Sequence, residues 1–289
     1  MSQKVNLNAY FERIGFAGSI APTLATLETI IVLHPAAIPF ENLNPLLGLP
    51  VSLELGAIEK KLLADRRGGY CYEHNLLLMA VLRELDYSVR GLSARVLWSN
   101  PDAVNVEPHH MLVLVEIGGA SYIADAGFGG MTPTAPLKLK RDVEQATPHE
   151  TYRLLGGDPV WRLEVKIGEE WRPVYLFETE EKTVADYAAS NTYLSTDPES
   201  GFRRELRLSL APPGKRINLR DNRLTIHASG EEPETRLLTS AGEMRETLVD
   251  LFGLQLPPPA VIEPLFASVL TRAGVPPAPA EEPGVADPQ

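Results

Sequence analysis

CYEHNLLLMAVLRELDYSVRGLSARVLW, residues 71–98, changes its hydrophobic period half-way along. Leu77, Leu78, Val81, Leu82 and Leu85 recur at helical spacing, which predicts a helix that opens near Cys71 and buries one face. From Ser88 onward short apolar runs alternate with turn residues, which predicts strands. Upstream the helical spacing persists: Leu24, Leu27, Ile30 and Ile31 form one stripe, and Leu55, Ile58 and Leu62 form another after the possible cap Ser52. Downstream, HMLVLVEI (110–117), SYIADAG (121–127) and VWRLEVKI (160–167) extend the strand region to about Gly168 as an antiparallel sheet or small barrel. Helices first and strands second make the chain α+β.

This divides the chain into a helical domain over 1–87 and a barrel domain with a following segment over 88–200, including a possible helix at 182–189. A third, mixed α/β domain spans 201–273, with strand-like RELRLSLA and RLTIH and a helix near Glu243 to Phe252. Residues 274–289 are rich in proline, acidic and small residues and are expected to fray.

A formal charge of −11 and a pI near 5.1 give no long-range attraction to nucleic acid or anionic lipid. No apolar run approaches the roughly 18 to 20 residues that span a bilayer, and the N-terminus does not read as a signal peptide, so the expected compartment is the cytoplasm. No phosphate-binding glycine loop and no zinc-type histidine spacing is present, so no metal and no permanently bound cofactor are expected.

The 289 residues contain one cysteine, which excludes an internal disulfide or a thiolate cluster and leaves a packing residue or a reactive thiol. Cys71 follows Arg66, Arg67, Gly68 and Gly69. At a helix start the free amides and the macrodipole favour a thiolate, the arginines would add positive charge, and the glycines would turn the sulfur toward a cleft. Burial inside the helix is the competing reading.

A thiolate needs a proton partner, and His34, His74, His149 and His227 read as surface or packing residues. His110 differs. It opens HMLVLVEI, and a two-residue turn at Gly118 and Gly119 would bring Asp125 opposite Leu112. Alternation then puts His110 and Asp125 on one face as diagonal neighbours, about 7 to 8 Å apart in the backbone, and turns His109 the other way. The pair is equally consistent with a structural contact.

PFENL (39–43), RRGGYCYEHN (66–75), the strand at His110, DAGFG (125–129) and NTYLST (191–196) together resemble the signatures of the arylamine N-acetyltransferases, in that family's order and spacing. The resemblance implies a Cys71, His110, Asp125 triad. It also implies an N-terminal helical bundle, a central antiparallel β-barrel and a C-terminal α/β lid, as in papain-like and transglutaminase-like thiol enzymes. An acceptor pocket of Phe40, Val96, Phe128 and Phe202 follows, with Gly127, Gly129 and Tyr193 near the cofactor and Glu41 and Arg67 as a supporting ion pair. The implied activity is a xenobiotic-type transfer from acetyl-CoA, as co-substrate, to arylamines or arylhydrazines and to N-hydroxyarylamines. It would run in two half-reactions through an acetyl-cysteine, in a monomer or homodimer with no nucleic-acid or membrane partner. The chain departs from the family pattern at His109, Gly130 and Glu199, which bears on acceptor selectivity and on how CoA lies. Rival readings are a thiol hydrolase or amidase using the same triad, and a catalytically silent binding module.

Overall fold

The computed structural model describes residues 4–102 and 106–276. Five helices occupy the first part: α1 (Leu7–Ile14), α2 (Leu24–Ala37), α3 (Leu43–Leu46), α4 (Leu55–Glu59), which runs into a π turn at Lys60–Ala64, and α5 (Cys71–Glu84). In α5, Cys71 to Met79 are all buried, so the helix is enclosed on every side rather than amphipathic. It packs on α4 and on two strands of the sheet that follows.

That sheet contains β2 (Ser88–Val96), β3 (His110–Ile117), β4 (Ala120–Ala124), β5 (Leu137–Lys138), β6 (Gln145–Ala146), β7 (Thr151–Gly157), β8 (Val160–Ile167) and β9 (Glu170–Glu178). Its eight strands run in the order β5-β4-β3-β2-β9-β8-β7-β6, and every neighbouring pair is antiparallel. The Gln145 side chain joins the two edges by accepting from Lys138 N and donating to Lys138 O, which draws the sheet into a nearly closed barrel. β3 is buried on both faces from His110 to Val115. Met111, Val113 and Val115 pack into the cluster built around α5, and Leu112 and Leu114 pack into the barrel. This two-sided burial explains the continuous apolar run.

Past the barrel come α6 (Val184–Thr196) and α7 (Gly201–Arg204). A second sheet adds β10 (Arg207–Leu210), β11 (Lys215–Arg220), β12 (Arg223–Ala228) and β13 (Glu234–Leu237). α8 (Ala241–Glu246) passes through a π turn at Thr247–Leu251, and α9 (Pro259–Arg272) closes the described chain. Phe266 and Phe252 from this helical layer pack on Leu208, Ile217 and Leu219 of the sheet. One edge strand of that sheet is β1 (Phe40–Glu41), which lies between α2 and α3 and pairs with β10. It stitches the first part of the chain to the last.

The architecture is the expected α+β class, with several elements differing from the sequence reading. β9, which bridges β2 and β8, lies in a stretch read as mixed. Pro173 has no N–H to donate and sits beside a register shift at Leu163/Glu164, so the strand lacks a regular pattern. The helix expected at 182–189 continues to Thr196. α9 was not anticipated, because Pro258, Pro259 and Pro264 break its signature although two of them sit where a helix start tolerates them. The expected fraying falls mostly on 277–289, outside the described residues.

Candidate active site

The hairpin closes as alternation requires. Gly118 and Gly119 take φ of 57° and 77°, as a type I′ turn demands, and Val113 pairs with Ala124. One step further along, Asp125 comes level with Leu112, and His110 Nε2 donates to Asp125 Oδ2 at 2.7 Å. His110 is 2% and Asp125 1% exposed, so water does not weaken the contact. Asp125 Oδ1 accepts from Asn75 Nδ2 and from Gly127 N, each at 2.9 Å.

Burial opposes charge on both partners, and their mutual attraction overrides it. The His110 ring is held well above its ordinary value, with a smaller upward contribution from its hydrogen bond to Cys71. The Asp125 carboxyl is held below its own ordinary value by His110, Asn75 and Gly127. With Nε2 committed to Asp125, Nδ1 is the ring nitrogen left for the sulfur.

Cys71 is the first residue of α5, so its amide has no acceptor within the helix. Its Sγ lies 3.7 Å from His109 O, within range of a thiol donor. The loop before it is fixed by close packing, against backbone at Gly68 and against the Glu73 side chain at Gly69. A Cβ on Gly68 would fall 2.0 Å from Pro39 O, and one on Gly69 would fall 2.7 Å from Glu73 Oε2. These glycines are therefore needed for close approach, not for a sharp turn that aims the sulfur. The charge expected from the arginines also goes elsewhere. Arg67 Nη2 donates to Glu41 Oε1 at 2.6 Å, the ion pair the sequence suggested, and Arg66 is exposed.

His34 and His74 are fully buried packing residues joined in one chain of hydrogen bonds. His74 Nε2 lies 3.2 Å from Pro39 O and 3.1 Å from Gly69 O, and carbonyls only accept, so Nε2 carries the proton. His74 Nδ1 therefore accepts from His34 Nε2 at 2.9 Å, and His34 Nδ1 accepts from Tyr10 OH at 2.8 Å. Both rings are neutral, and the chain pins the two carbonyls that flank the Cys71 loop.

Cys71 and His110 open onto a cleft of about 390 Å³. Phe40, Val96, Phe128 and Phe202 line it, as do Gly127 and Gly129. Phe202 packs at 5.9 Å on Phe40 and Phe128 packs edge-on to His110 at 5.2 Å. Tyr193 does not line the cleft. It lies exposed on α6 and stacks on His109. Gly130, His109 and the unforeseen Trp98, Arg207, Asn218 and Arg220 are also among the residues that line it. A larger hollow, about 520 Å³, lies among Asn6, Arg13 and Lys60, but no cysteine, serine, threonine or histidine lines it. Asn75 was also not anticipated. Its spacing of four residues from Cys71, one helical turn along the same face, was the available signal.

Residues 23–261 match the N-acetyltransferase family model. The chain is 40% identical over 256 residues to an arylamine N-acetyltransferase of Mycolicibacterium smegmatis, covering 87% of this chain and 93% of that one. It is 36% identical to the arylamine N-acetyltransferase / N-hydroxyarylamine O-acetyltransferase of Salmonella typhimurium, covering 86% and 88%. The structure of the Mycobacterium marinum arylamine N-acetyltransferase in complex with CoA superposes with a TM-score of 0.84 at 37% identity, covering 92% and 98%.

Proposed function

The chain belongs to the arylamine N-acetyltransferase family, and on that premise we propose that it moves an acetyl group from acetyl-CoA to an arylamine by way of a thioester on Cys71. The observation that carries the reading is the 2.7 Å contact between His110 Nε2 and Asp125 Oδ2 beside a cysteine that begins a helix.

Asp125 holds the ring with Nδ1 toward Cys71 and stabilises the imidazolium left when the thiol proton moves to it. The thiolate sulfur attacks the thioester carbonyl carbon, and the oxyanion forms near the free amide of Cys71. The C–S bond to CoA breaks, and the departing sulfur takes the His110 proton. In the second half-reaction the amine nitrogen attacks the acetyl carbon, His110 accepts the proton that nitrogen sheds, and the Cys71 sulfur leaves. The amine is largely neutral near pH 7 and needs no prior deprotonation.

Phe40, Val96, Phe128 and Phe202 supply an apolar surface for the aromatic ring and limit hydration of the thioester, which favours the amine over water. Gly127 and Gly129 line the same cleft, and in this proposal the acyl donor passes along them. An N-hydroxyarylamine presents its oxygen in the same position, so O-acetylation is part of the proposal, in keeping with the Salmonella relative.

Initial rates measured with both substrates varied test the order of events. Two half-reactions predict parallel double-reciprocal lines, whereas lines that intersect would mean that both substrates bind before any bond forms.

A further inference from the structure

The chemistry above uses the imidazole of His110 and leaves the imidazole of His109 without a part. His109 borders the same cleft, and its carbonyl is the one facing the Cys71 sulfur. Its ring is gripped on an edge and on a face. Nδ1 lies 2.8 Å from Ser190 Oγ, and Tyr193 stacks on the ring with centroids 4.9 Å apart and planes 21° from parallel.

The direction of the hydrogen bonds follows from the far end of the chain. Tyr72 OH has one partner among the described residues, Ser190 Oγ at 2.7 Å, so the phenol donates to the serine. Burial holds this phenol's pKa above its ordinary value, which keeps the proton on oxygen. The Ser190 hydroxyl then has its own proton free for His109 Nδ1, which accepts it. Burial lowers the His109 pKa, so the ring is neutral at pH 7, and its single proton sits on Nε2. Nε2 has no partner among the described residues, and it lies on the part of the ring turned away from Ser190. Phenylalanine and valine supply much of the remaining wall; Trp98, Ser99, Ser209 and Asn218 also line it, and Arg207 and Arg220, on the β10–β11 side, are ion-paired with Glu205.

We propose that His109 is a specificity-determining residue, held by Tyr72 and Ser190 so that its Nε2–H donates to an oxygen carried on the ring of the acceptor amine, favouring carbonyl-bearing arylamines over alkyl-substituted ones of the same shape. The proposal rests on the amine binding in the Cys71 cleft. Ser190 acts through His109 and is a positioning residue.

The test compares two acceptors of nearly equal shape, para-aminoacetophenone and para-isopropylaniline, each assayed for acetylated product with acetyl-CoA. Both are uncharged, and any hydrogen bond from the arginines to the ketone is the same in each protein, so it cancels when the variant's ratio is set against that of wild type. His109→Phe keeps an aromatic face for Tyr193 and removes the donor. The ratio of kcat/KM for the ketone to that for the alkyl amine is expected to fall about fivefold, the value of one neutral hydrogen bond. Ser190→Ala releases Nδ1 and lets the proton occupy either nitrogen, so the ratio is expected to fall about twofold. A general disturbance of the site would lower both acceptors together and leave the ratio where it was. An unchanged or rising ratio in His109→Phe overturns the proposal. Acetylation of wild-type Cys71, read by intact mass, tests the cleft reading separately, because the ratio is measured from product whichever residue carries the acetyl group.

Discussion

Asn75 Nδ2 donates to Asp125 Oδ1 at 2.9 Å, and Asn75 Oδ1 accepts from Ala126 N at 3.0 Å, so one amide side chain grips both the carboxylate and the backbone that follows it. The same Nδ2 also donates to Met111 O at 2.7 Å, next to His110. A residue one turn from Cys71 thus holds both the strand that carries His110 and the backbone that carries Asp125. Asn75→Ala is expected to lower kcat/KM about ten- to a hundredfold, the value of a hydrogen bond to a charged group. Steady-state assays on a variant shown by circular dichroism to be folded check this. A wild-type rate would mean that Asp125 keeps its place without the amide.

Gly127 is packed as tightly. A Cβ there would lie 2.9 Å from Cys71 Cα, Cys71 O and Asn75 Nδ2, two of them backbone atoms with no room to move. Gly127→Ala is expected to displace the start of α5 and reduce turnover by about 10²-fold while leaving the far sheet intact. Single-turnover transfer from acetyl-CoA is the measurement, and a variant within twofold of wild type would contradict the packing argument.

How much of this site was legible follows from what kind of signal each part leaves. The His110–Asp125 pairing came from strand alternation and a two-glycine turn, because register is a property of sequence spacing. Cys71 stood out because the chain has no other thiol. Asn75 left little trace, since an amide's role depends on what surrounds it in space. His109 read as a departure from a family pattern, yet its contacts with Ser190 and Tyr193 come from a helix some 80 residues away. The two arginines before Cys71 misled for the same reason. Their charge is visible in sequence, whereas Glu41, which neutralises Arg67, sits 26 residues upstream. Of the fold, β9 and α9 escaped where proline interrupts the period that marks a strand or a helix.

The Glu41 carboxylate is fully buried, and burial pushes its pKa up against the larger combined downward pull of Arg67, Lys61 and the Leu43 amide. Arg67→Met leaves that charge without its main partner and is expected to destabilise the protein by about 3–5 kcal/mol. The double variant Glu41→Gln, Arg67→Met removes both charges and should cost less than the single change. Urea unfolding of the three proteins checks the order, and equal losses would show that the pair is not coupled.

The His34–His74 chain makes the fold sensitive to acid. Burial lowers the His74 pKa to about 4 from its ordinary 6.5, with Lys61 acting in the same direction and the two carbonyls opposing. Between those values the unfolded chain binds a proton that the folded chain refuses, so stability falls as pH drops from 6.5 toward 4, by roughly 3 kcal/mol over the whole window. His34, lowered by burial and by its neighbours His74 and Arg13, adds to the same trend. The His110 pair behaves in the opposite sense. Its folded pKa is raised to about 10, so its contribution is complete below pH 6.5 and is lost as pH rises through about 10. Urea midpoints from pH 7.5 to 4.5 should slope downward, and less steeply in His74→Gln. Equal slopes would contradict the account of the buried rings.

The proposed thioester on Cys71 is tested by intact-mass analysis of the protein mixed with acetyl-CoA and then with an arylamine. A single acetyl group mapping to Cys71 is expected, with its disappearance as N-acetylated product forms, and no adduct and no turnover in Cys71→Ala. Acetylated amine formed by Cys71→Ala at the wild-type rate, or an adduct that water discharges and the amine does not, would contradict it.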